Sequence, residues 1–142
     1  MGAIRHVGIY VKHIQEMARF YTEVFSLRTA VHQHEGGDYI AALFNEKGAQ
    51  IEVYKLAFGD GSLLELIECR NLPECAVEKE KLYAAGQAHI AVTVESAETI
   101  YEELAKRGCQ MLSRPCISPD GKARVFFAKD PEGNYLELVE EL

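Results

Sequence analysis

Two histidines and two glutamates have side chains that can bind divalent metals, and they recur at matching places in the sequence. His6 and His89 each begin a run in which apolar residues alternate, and Glu65 and Glu137 each lie inside a Leu-Glu-Leu triplet. Side chains alternate across a β-strand, so each of the four should point away from its apolar neighbours. Because those neighbours must face a core, we expect the four polar side chains to share the helix-free side.

This set of two imidazoles and two carboxylates indicates which ion could bind. It suits a borderline divalent ion such as Zn, Ni, Co, Mn or Fe(II), whereas Ca and Mg prefer shells made only of oxygen. Two carboxylates also balance the two charges of the ion. Tyr10 and Thr93 should face the same side, which makes them candidates for substrate binding. The predicted ligands of one divalent metal are His6, Glu65, His89 and Glu137.

The other three histidines fall outside this register. His32 and His34 would share one face of the second strand, and His13 follows the first strand. We expect solvated or rim positions for all three, although one of them can touch a ligand in the predicted cup.

The elements that position the four side chains form a repeat. Residues 4–11 alternate as a strand, and residues 14–25 carry apolar side chains at helical spacing. The same order returns at residues 88–94 and in a helix that begins near Ala97 and ends at Gly108. Strand followed by helix therefore occurs twice in the chain.

Each half closes with a hairpin. Residues 50–56 and 62–69 flank the turn at 59–61, and residues 124–129 and 135–139 flank the turn at 130–134. Between the second and third strands of the first half, Asp38 is expected to cap a short helix that carries Ile40, Leu43 and Phe44 and stops near Gly48. The predicted organisation is one domain, residues 1–142, with module one at about 1–70, a linker at about 71–86 that includes the charged run 78–81, and module two at about 87–142.

Bulk composition narrows the class of protein. The chain has 142 residues, 48% hydrophobic and 26% charged, without an apolar run of the roughly 20 residues that a membrane span needs. A net charge of −7 argues against a nucleic-acid partner. The amino terminus does not resemble a secretory signal, so we expect a soluble cytoplasmic protein. The four cysteines are expected to be free thiols, because they have no close metal-binding spacing.

The sequence resembles the vicinal oxygen chelate superfamily, most closely glyoxalase I-like proteins. The resemblance covers nearly the whole chain and depends on the order of several short pieces. It implies an α+β fold of two tandem βαβββ modules that form a cup-shaped mixed sheet around a metal, with helices on the outer face, commonly in a homodimer. The matching pieces lie at residues 6–11, 20–25, 64–66, 89–92 and 130–138.

The resemblance also implies a reaction. In glyoxalase I the metal chelates neighbouring oxygens of the substrate, and a ligating glutamate moves a proton between adjacent carbons. We therefore expect a metal-dependent lyase or isomerase that moves a proton next to a carbonyl of a small oxygenated substrate. The catalytic residues would be Glu137 and Glu65, with Glu137 favoured as the base because residues 130–135 before its strand match the family pattern best. One alternative is an enzyme similar to methylmalonyl-CoA epimerase, and another is a drug-binding protein of the bleomycin-resistance type.

Some positions depart from the family pattern. Tyr10 stands where bacterial glyoxalase I carries an arginine, and Cys69 stands where it carries an asparagine. Glutathione is therefore not expected as the thiol. Ring-cleaving dioxygenases and fosfomycin-modifying relatives hold their metal with three ligands, and Glu65 as a fourth ligand argues against both.

Overall fold

The two halves of the chain each build a four-stranded mixed sheet. The computed structural model describes residues 2–75 and 81–142, and the chain divides into two compact units, Met1–Ala76 and Val77–Leu142. Most of the charged run predicted at 78–81 lies outside the described residues. Unit 1 and unit 2 below refer to these two parts.

Unit 1 has four strands in the order β1-β4-β3-β2, with β1 parallel to β4 and the other pairs antiparallel. The last strand therefore lies between the first strand, at the edge of the sheet, and the third. The elements are β1 (Val7–Tyr10), α1 (Ile14–Phe25), β2 (Arg28–Glu35), α2 (Gly37–Phe44), β3 (Gln50–Ala57) and β4 (Leu63–Arg70).

Unit 2 repeats this order as β5-β8-β7-β6, with β5 parallel to β8. The predicted α+β class and the βαβββ-like repeat are confirmed, and unit 1 adds α2. No helix in the described ranges has both the length and the apolar character required to cross a bilayer. The elements of unit 2 are β5 (His89–Thr93), α3 (Ala97–Lys106), β6 (Cys116–Ile117), β7 (Ala123–Lys129) and β8 (Tyr135–Glu141).

Helix α1 has an apolar stripe that covers one face of the unit 1 sheet. Met17 and Tyr21 lie one turn apart and are fully buried. The helix packs on β3 and β4, where Leu64 and Leu66 are also buried. Each such side chain contributes about 1.5–3 kcal/mol by leaving water, and because Leu64 and Leu66 face α1, Glu65 between them points to the opposite face.

Helix α3 plays the same part in unit 2. Its Leu104 is fully buried, and the ring of Tyr101 contacts Phe126 edge-on at 5.5 Å between centroids. Leu136 and Leu138 of β8 are fully buried, so Glu137 between them points away from α3.

In each unit, a carboxylate from the last strand accepts a hydrogen bond from the first backbone N–H of the long helix. Glu68 of β4 accepts a hydrogen bond from the Ile14 backbone N–H at 3.0 Å, and Glu140 of β8 accepts one from the Ala97 backbone N–H at 2.9 Å. The first N–H groups of a helix lack partners within the helix, and a negative charge there also favours the helix dipole. The two units are therefore also alike in the hydrogen bond that stabilises the N-terminus of each long helix.

Helix α2 differs from its prediction in two details. Asp38 makes no capping hydrogen bond, because Gly36 occupies the N-cap position and Asp38 lies within the first turn. The helix ends at Phe44 rather than near Gly48, because Asn45 adopts a left-handed backbone with φ 52°. Asparagine tolerates this conformation better than most residues with side chains.

The position of α2 corrects a further prediction. Ile40 is fully buried in a cluster with Ile51 and Val53, and Phe44 packs against it. These β3 residues lie on the same face as Glu65, because Val53 and Lys55 are two residues apart and Lys55 stands opposite Glu65 in the β3–β4 ladder. The face of Glu65 in unit 1 is therefore not helix-free. A second apolar layer forms there because β3 presents Ile51 and Val53 on this face, while Leu56 of the same strand is buried on the α1 side.

Candidate functional site

In unit 1, His6 and Glu65 are brought into direct contact. His6 lies just before β1, rather than on it as predicted, and Gly8 is the register partner of Glu65 in the parallel β1–β4 pair. The imidazole Nε2 of His6 is 2.5 Å from Glu65 Oε2. The ring Nδ1 of His6 is buried and has no hydrogen-bond partner among the described residues. Glu65 is thus the group that holds this imidazole in place.

In unit 2, His89 and Glu137 form the equivalent pair. His89 is the first residue of β5, and Ala91 is the register partner of Glu137 in the parallel β5–β8 pair. The Nε2 atom of His89 is 3.1 Å from Glu137 Oε2. The ring of Phe127 meets the imidazole edge-on at 5.2 Å between centroids. Phe127 stands directly opposite Glu137 on β7, so it packs beside the pair.

The two pairs share their register as well as their residue types. In each unit the histidine stands two residues before the β-strand residue that pairs with the glutamate. The surroundings differ, since the side chain of Glu65 is 12% exposed and that of Glu137 is 26% exposed. Each unit therefore brings together one predicted histidine and one predicted glutamate. That all four bind one ion stays a prediction.

The two candidate substrate-binding residues lie on the faces that the sequence indicates. Tyr10 pairs with Ile67 in the β1–β4 ladder, and its ring meets Phe44 of α2 edge-on at 6.4 Å. Burial raises the pKa of Tyr10, and electrostatic repulsion from Cys69 and Glu65 at a pH where they are ionised raises it further. Its hydroxyl therefore stays protonated near neutral pH and can donate a hydrogen bond.

Thr93 is the last residue of β5 and is exposed. It lies on the same face as His89, because the two are four residues apart on one strand. Its hydroxyl can both donate and accept a hydrogen bond.

A third group of metal-binding residue types lies in unit 1, where the sequence predicted only rim histidines. His32 and His34 contact Glu52, with Nε2 to carboxylate oxygen distances of 2.8 and 3.4 Å. Glu52 is on the α1 side of the sheet, because it alternates with Val53, so these histidines face away from Glu65. A ligand bound beside Glu65 would therefore lie on the other face of the sheet from His32 and His34. His13 stands at the N-cap of α1 without a side-chain capping bond.

Glu52 was missed because its burial depends on tertiary contacts. Burial alone would disfavour its charged form, but the hydrogen bond from His32 and the positive charges of His34 and Arg70 outweigh that effect and lower the pKa of Glu52. The available signal was the His-x-His spacing of β2 beside an acid in β3. That signal becomes specific only once the strand register is known.

The pairs at Glu65 and Glu137 offer imidazole nitrogen and carboxylate oxygen at adjacent positions. Such donors bind transition ions at about 2.0–2.2 Å, which places neighbouring ligand atoms about 3 Å apart. The separation of 3.1 Å in unit 2 is close to this spacing, whereas the 2.5 Å in unit 1 is shorter and is a direct contact between the two side chains.

Comparisons with known proteins agree with this arrangement of strands. A glyoxalase family protein from Bacillus cereus has a TM-score of 0.90 at 21% identity, with 98% of this chain and 93% of that chain covered. The trypanothione-dependent glyoxalase I of Leishmania major has a TM-score of 0.67 at 19% identity, covering 99% and 88% of the two chains. At these identities the likeness shows the fold.

Another solved structure adds a metal complex to the comparison. A fosfomycin resistance protein from Listeria monocytogenes, in complex with Mn(II) and sulfate, has a TM-score of 0.64 at 15% identity, covering 100% of this chain and 94% of that chain. No curated protein sequence matches significantly. The model of the Glyoxalase/Bleomycin resistance protein/Dioxygenase superfamily matches residues 3–138. With almost the entire chain matched, this protein belongs to that superfamily, the vicinal oxygen chelate proteins.

Proposed function

We propose that the chain is a divalent-metal-dependent lyase or isomerase of glyoxalase I type, which moves a proton next to a carbonyl of a small oxygenated substrate. One observation carries the proposal. The same His–Glu pair occurs at the same register of two repeated sheets, in contact within each unit. A fold alone would not require either pair, because the structural needs of an exposed strand face can be met by many polar residues.

The proposed metal ligands are His6, Glu65, His89 and Glu137, all serving one Zn, Ni, Co, Mn or Fe(II) ion. Two neutral imidazoles and two carboxylates form a complex with a divalent ion that has no net charge, which lowers the cost of holding the ion away from bulk water. When bound, the metal would polarise neighbouring oxygens of the substrate and favour loss of the adjacent proton.

The two glutamates have different proposed roles. A general base must be free to reach the substrate and accept its proton, and Glu137 is the more exposed of the two carboxylates, with the longer contact to its histidine. Glu65 is more enclosed and would anchor the ion. Tyr10 would donate a hydrogen bond to a substrate oxygen on the Glu65 side, and Thr93 would do so on the Glu137 side.

A metal-binding experiment tests the ligand set. Apoprotein is dialysed against Zn²⁺, and the bound ions per chain are counted by elemental analysis for the parent, His6→Ala, His89→Ala and the double variant. Each single variant should lose one ion, and the double variant should lose no more than either single variant, because both histidines serve the same ion. His13→Ala is the control and should retain the parent's count.

Two results contradict this ligand set. Full metal retention by both single variants would exclude His6 and His89 as ligands. A double variant that loses two ions would mean that the pairs bind separately.

A second experiment tests the reaction. Metal-loaded and metal-free protein are incubated in D₂O with a panel of hemithioacetals and acyl-CoA thioesters, and deuterium incorporation is followed by mass spectrometry. We expect exchange on at least one compound that depends on the metal and disappears in His89→Ala. Binding of panel members without exchange above a metal-only blank would favour a drug-binding protein of the bleomycin-resistance type.

We also propose a homodimer that acts on a small molecule. Analytical ultracentrifugation measures the assembly, and a mixing experiment shows how the site is shared. If the ligands of one ion come from two chains, mixing His6→Ala with His89→Ala and allowing exchange restores part of the metal binding, because one hybrid site receives both intact histidines. No restoration in an exchanging dimer would place each site within one chain.

A further inference from the structure

The cluster of His32, His34 and Glu52 has geometry of its own on the α1 side of the unit 1 sheet. His34 stands directly opposite Glu52 in the antiparallel β2–β3 ladder, and His32 stands opposite Tyr54 two residues away. Side chains at these positions share a face. One ligand atom from each of the three residues lies within 4.8 Å of the other two.

The cluster is enclosed at one end and open at the other. Glu52 is 2% exposed, whereas the side chains of His32 and His34 are 38% and 64% exposed. A pocket of about 260 Å³ lies beside His34. An ion held by the three residues would therefore be anchored by a buried carboxylate and would complete its shell with water from the open side.

Neighbouring side chains fix two members of the cluster before any ligand binds. The His32 ring stacks on Tyr54, with 3.9 Å between centroids and 15° between planes. Gln15 of α1 donates to Glu52 Oε1 at 2.6 Å and accepts a hydrogen bond from the Tyr54 hydroxyl at 2.9 Å. Such outer contacts orient ligands and are typical of metal sites.

In the structure, Arg70 forms an ion pair with the carboxylate of Glu52. Its Nη2 lies 2.7 Å from Glu52 Oε2, and its Nε lies 3.0 Å from Glu68 Oε1. A guanidinium and a metal ion cannot both approach Glu52 Oε2 without repulsion. Arg70 is half-exposed and already contacts Glu68, which remains available to it when Glu52 binds an ion.

We propose that His32, His34 and Glu52 form a second divalent-metal site, separate from the pairs at Glu65 and Glu137, in which Arg70 competes with the ion for Glu52. Two imidazoles and one carboxylate favour a borderline transition ion such as Zn²⁺ or Co²⁺ over Ca²⁺ or Mg²⁺. The two sites are independent, because Glu52 and Glu65 lie on opposite faces of the sheet.

The test uses the full chain with Zn²⁺ counted by equilibrium dialysis and Co²⁺ followed by visible absorption. His34→Gln is the main variant, because this side chain is the most exposed and its loss should leave the fold intact, as circular dichroism can verify. It should lose one ion per chain, or bind that ion at least about tenfold more weakly. His13→Ala is the control and should match the parent.

Two further variants separate a built site from simple chelation by two surface histidines. Glu52→Gln should also weaken binding, because the anionic ligand is gone. Arg70→Gln should tighten binding, by about three- to tenfold, because the competing cation is gone. Unchanged affinity in both Glu52→Gln and His34→Gln would overturn the proposal, and so would weaker binding in Arg70→Gln.

The outcome is distinct from that of the proposed function. His6→Ala should leave the ion at His32 and His34 in place, and His34→Gln should leave metal-dependent exchange of substrate deuterium unchanged. If His34→Gln loses an ion while His6→Ala and His89→Ala lose none, the second site stands and the proposed catalytic site fails. If His6→Ala and His89→Ala each lose an ion while His34→Gln loses none, the proposed catalytic site stands and the second site is excluded.

Discussion

Glu65 and Glu137 occupy equivalent register positions in unequal surroundings, so exchanging each for glutamine should have unequal effects. Glu137→Gln should keep most of its metal while turnover falls by about two to four orders of magnitude, the usual contribution of a positioned base. Glu65→Gln should bind metal more weakly, because the proposed anchoring carboxylate is then lost. Metal content and kcat measured on the same preparations check this.

The opposite pattern would exchange the two roles. It would consist of near-parental turnover in Glu137→Gln, and a loss of turnover with metal still bound in Glu65→Gln.

The four cysteines should differ in their rate of alkylation. Burial raises the pKa of Cys109, with a further increase from Asp130 that Arg107 partly offsets, and burial with the charge of Glu68 raises the pKa of Cys69. A raised pKa leaves a smaller thiolate fraction at a given pH, and the thiolate is the reacting form. Iodoacetamide at pH 8, followed by peptide mass spectrometry, should therefore label Cys69 and Cys109 last, after the exposed thiols of Cys75 and Cys116.

Equal labelling of all four cysteines in the native protein would contradict this order. Labelling in denaturant is the control, and there the four rates should converge, since neither burial nor neighbouring charges remain.

Single residues also show where sequence reasoning succeeds and where it stops. His6 and Glu65 could be predicted, because each has a counterpart in a repeated strand with visible alternation. Glu52 could not, because Ile51, Glu52 and Val53 are all buried, and a strand buried on both faces loses the alternation that reveals direction. Its histidine partners were visible only as isolated rim candidates.

The N-termini of α1 and α3 are stabilised by carboxylates from strands that occur much later in the chain. Glu140→Gln should destabilise the protein by about 0.5–2 kcal/mol, because the Ala97 N–H at the start of α3 and the guanidinium of Arg124 both lose a charged partner. Urea unfolding measures the change in the free energy of unfolding. Glu141→Gln, at an exposed neighbouring position, is the matched control and should change stability by less than about 0.5 kcal/mol.

A loss in Glu141→Gln as large as that in Glu140→Gln would assign the effect to net charge rather than to the contacts that Glu140 makes with Ala97 and Arg124. The same comparison can be made in unit 1 with Glu68→Gln, whose carboxylate accepts from the Ile14 N–H.

Elements were predicted well wherever a local pattern decided them. Helix α1 runs over the predicted residues 14–25, because its apolar spacing and its amphipathic face are unambiguous. The existence of α2 was also predicted, but the face on which it packs was not. Its position depends on Ile51 and Val53, which β3 presents on the side opposite α1. Because β3 is buried on both faces, the sequence pattern does not reveal which of its residues face which helix.

Binding of metal at the proposed catalytic site should stabilise the whole protein. At a free metal concentration of about 100 times Kd, the free energy of unfolding rises by about 2.7 kcal/mol, which corresponds to roughly 5–10 °C in Tm for a chain of this size. Differential scanning calorimetry of the His34→Gln chain measures this without a contribution from the second site. A chelator should reverse the increase, and His6→Ala in the same background should abolish it. An unchanged Tm in the metal-loaded His34→Gln chain would mean that the ion does not bind the folded state preferentially.

Helix α2 has a consequence for how this protein can change over evolutionary time. The connection from Gly36 to Ala49 carries a helix in unit 1, whereas the corresponding connection from Ser118 to Lys122 in unit 2 is a short turn. An insertion confined to unit 1 can vary without any change in the strands of unit 2 that carry His89 and Glu137. Tyr39 and Leu43 expose large apolar side chains on this insertion. Because α2 packs on the face of the unit 1 sheet that carries Glu65, variation at these two positions should change which substrates the proposed site accepts while metal content stays at the parental level.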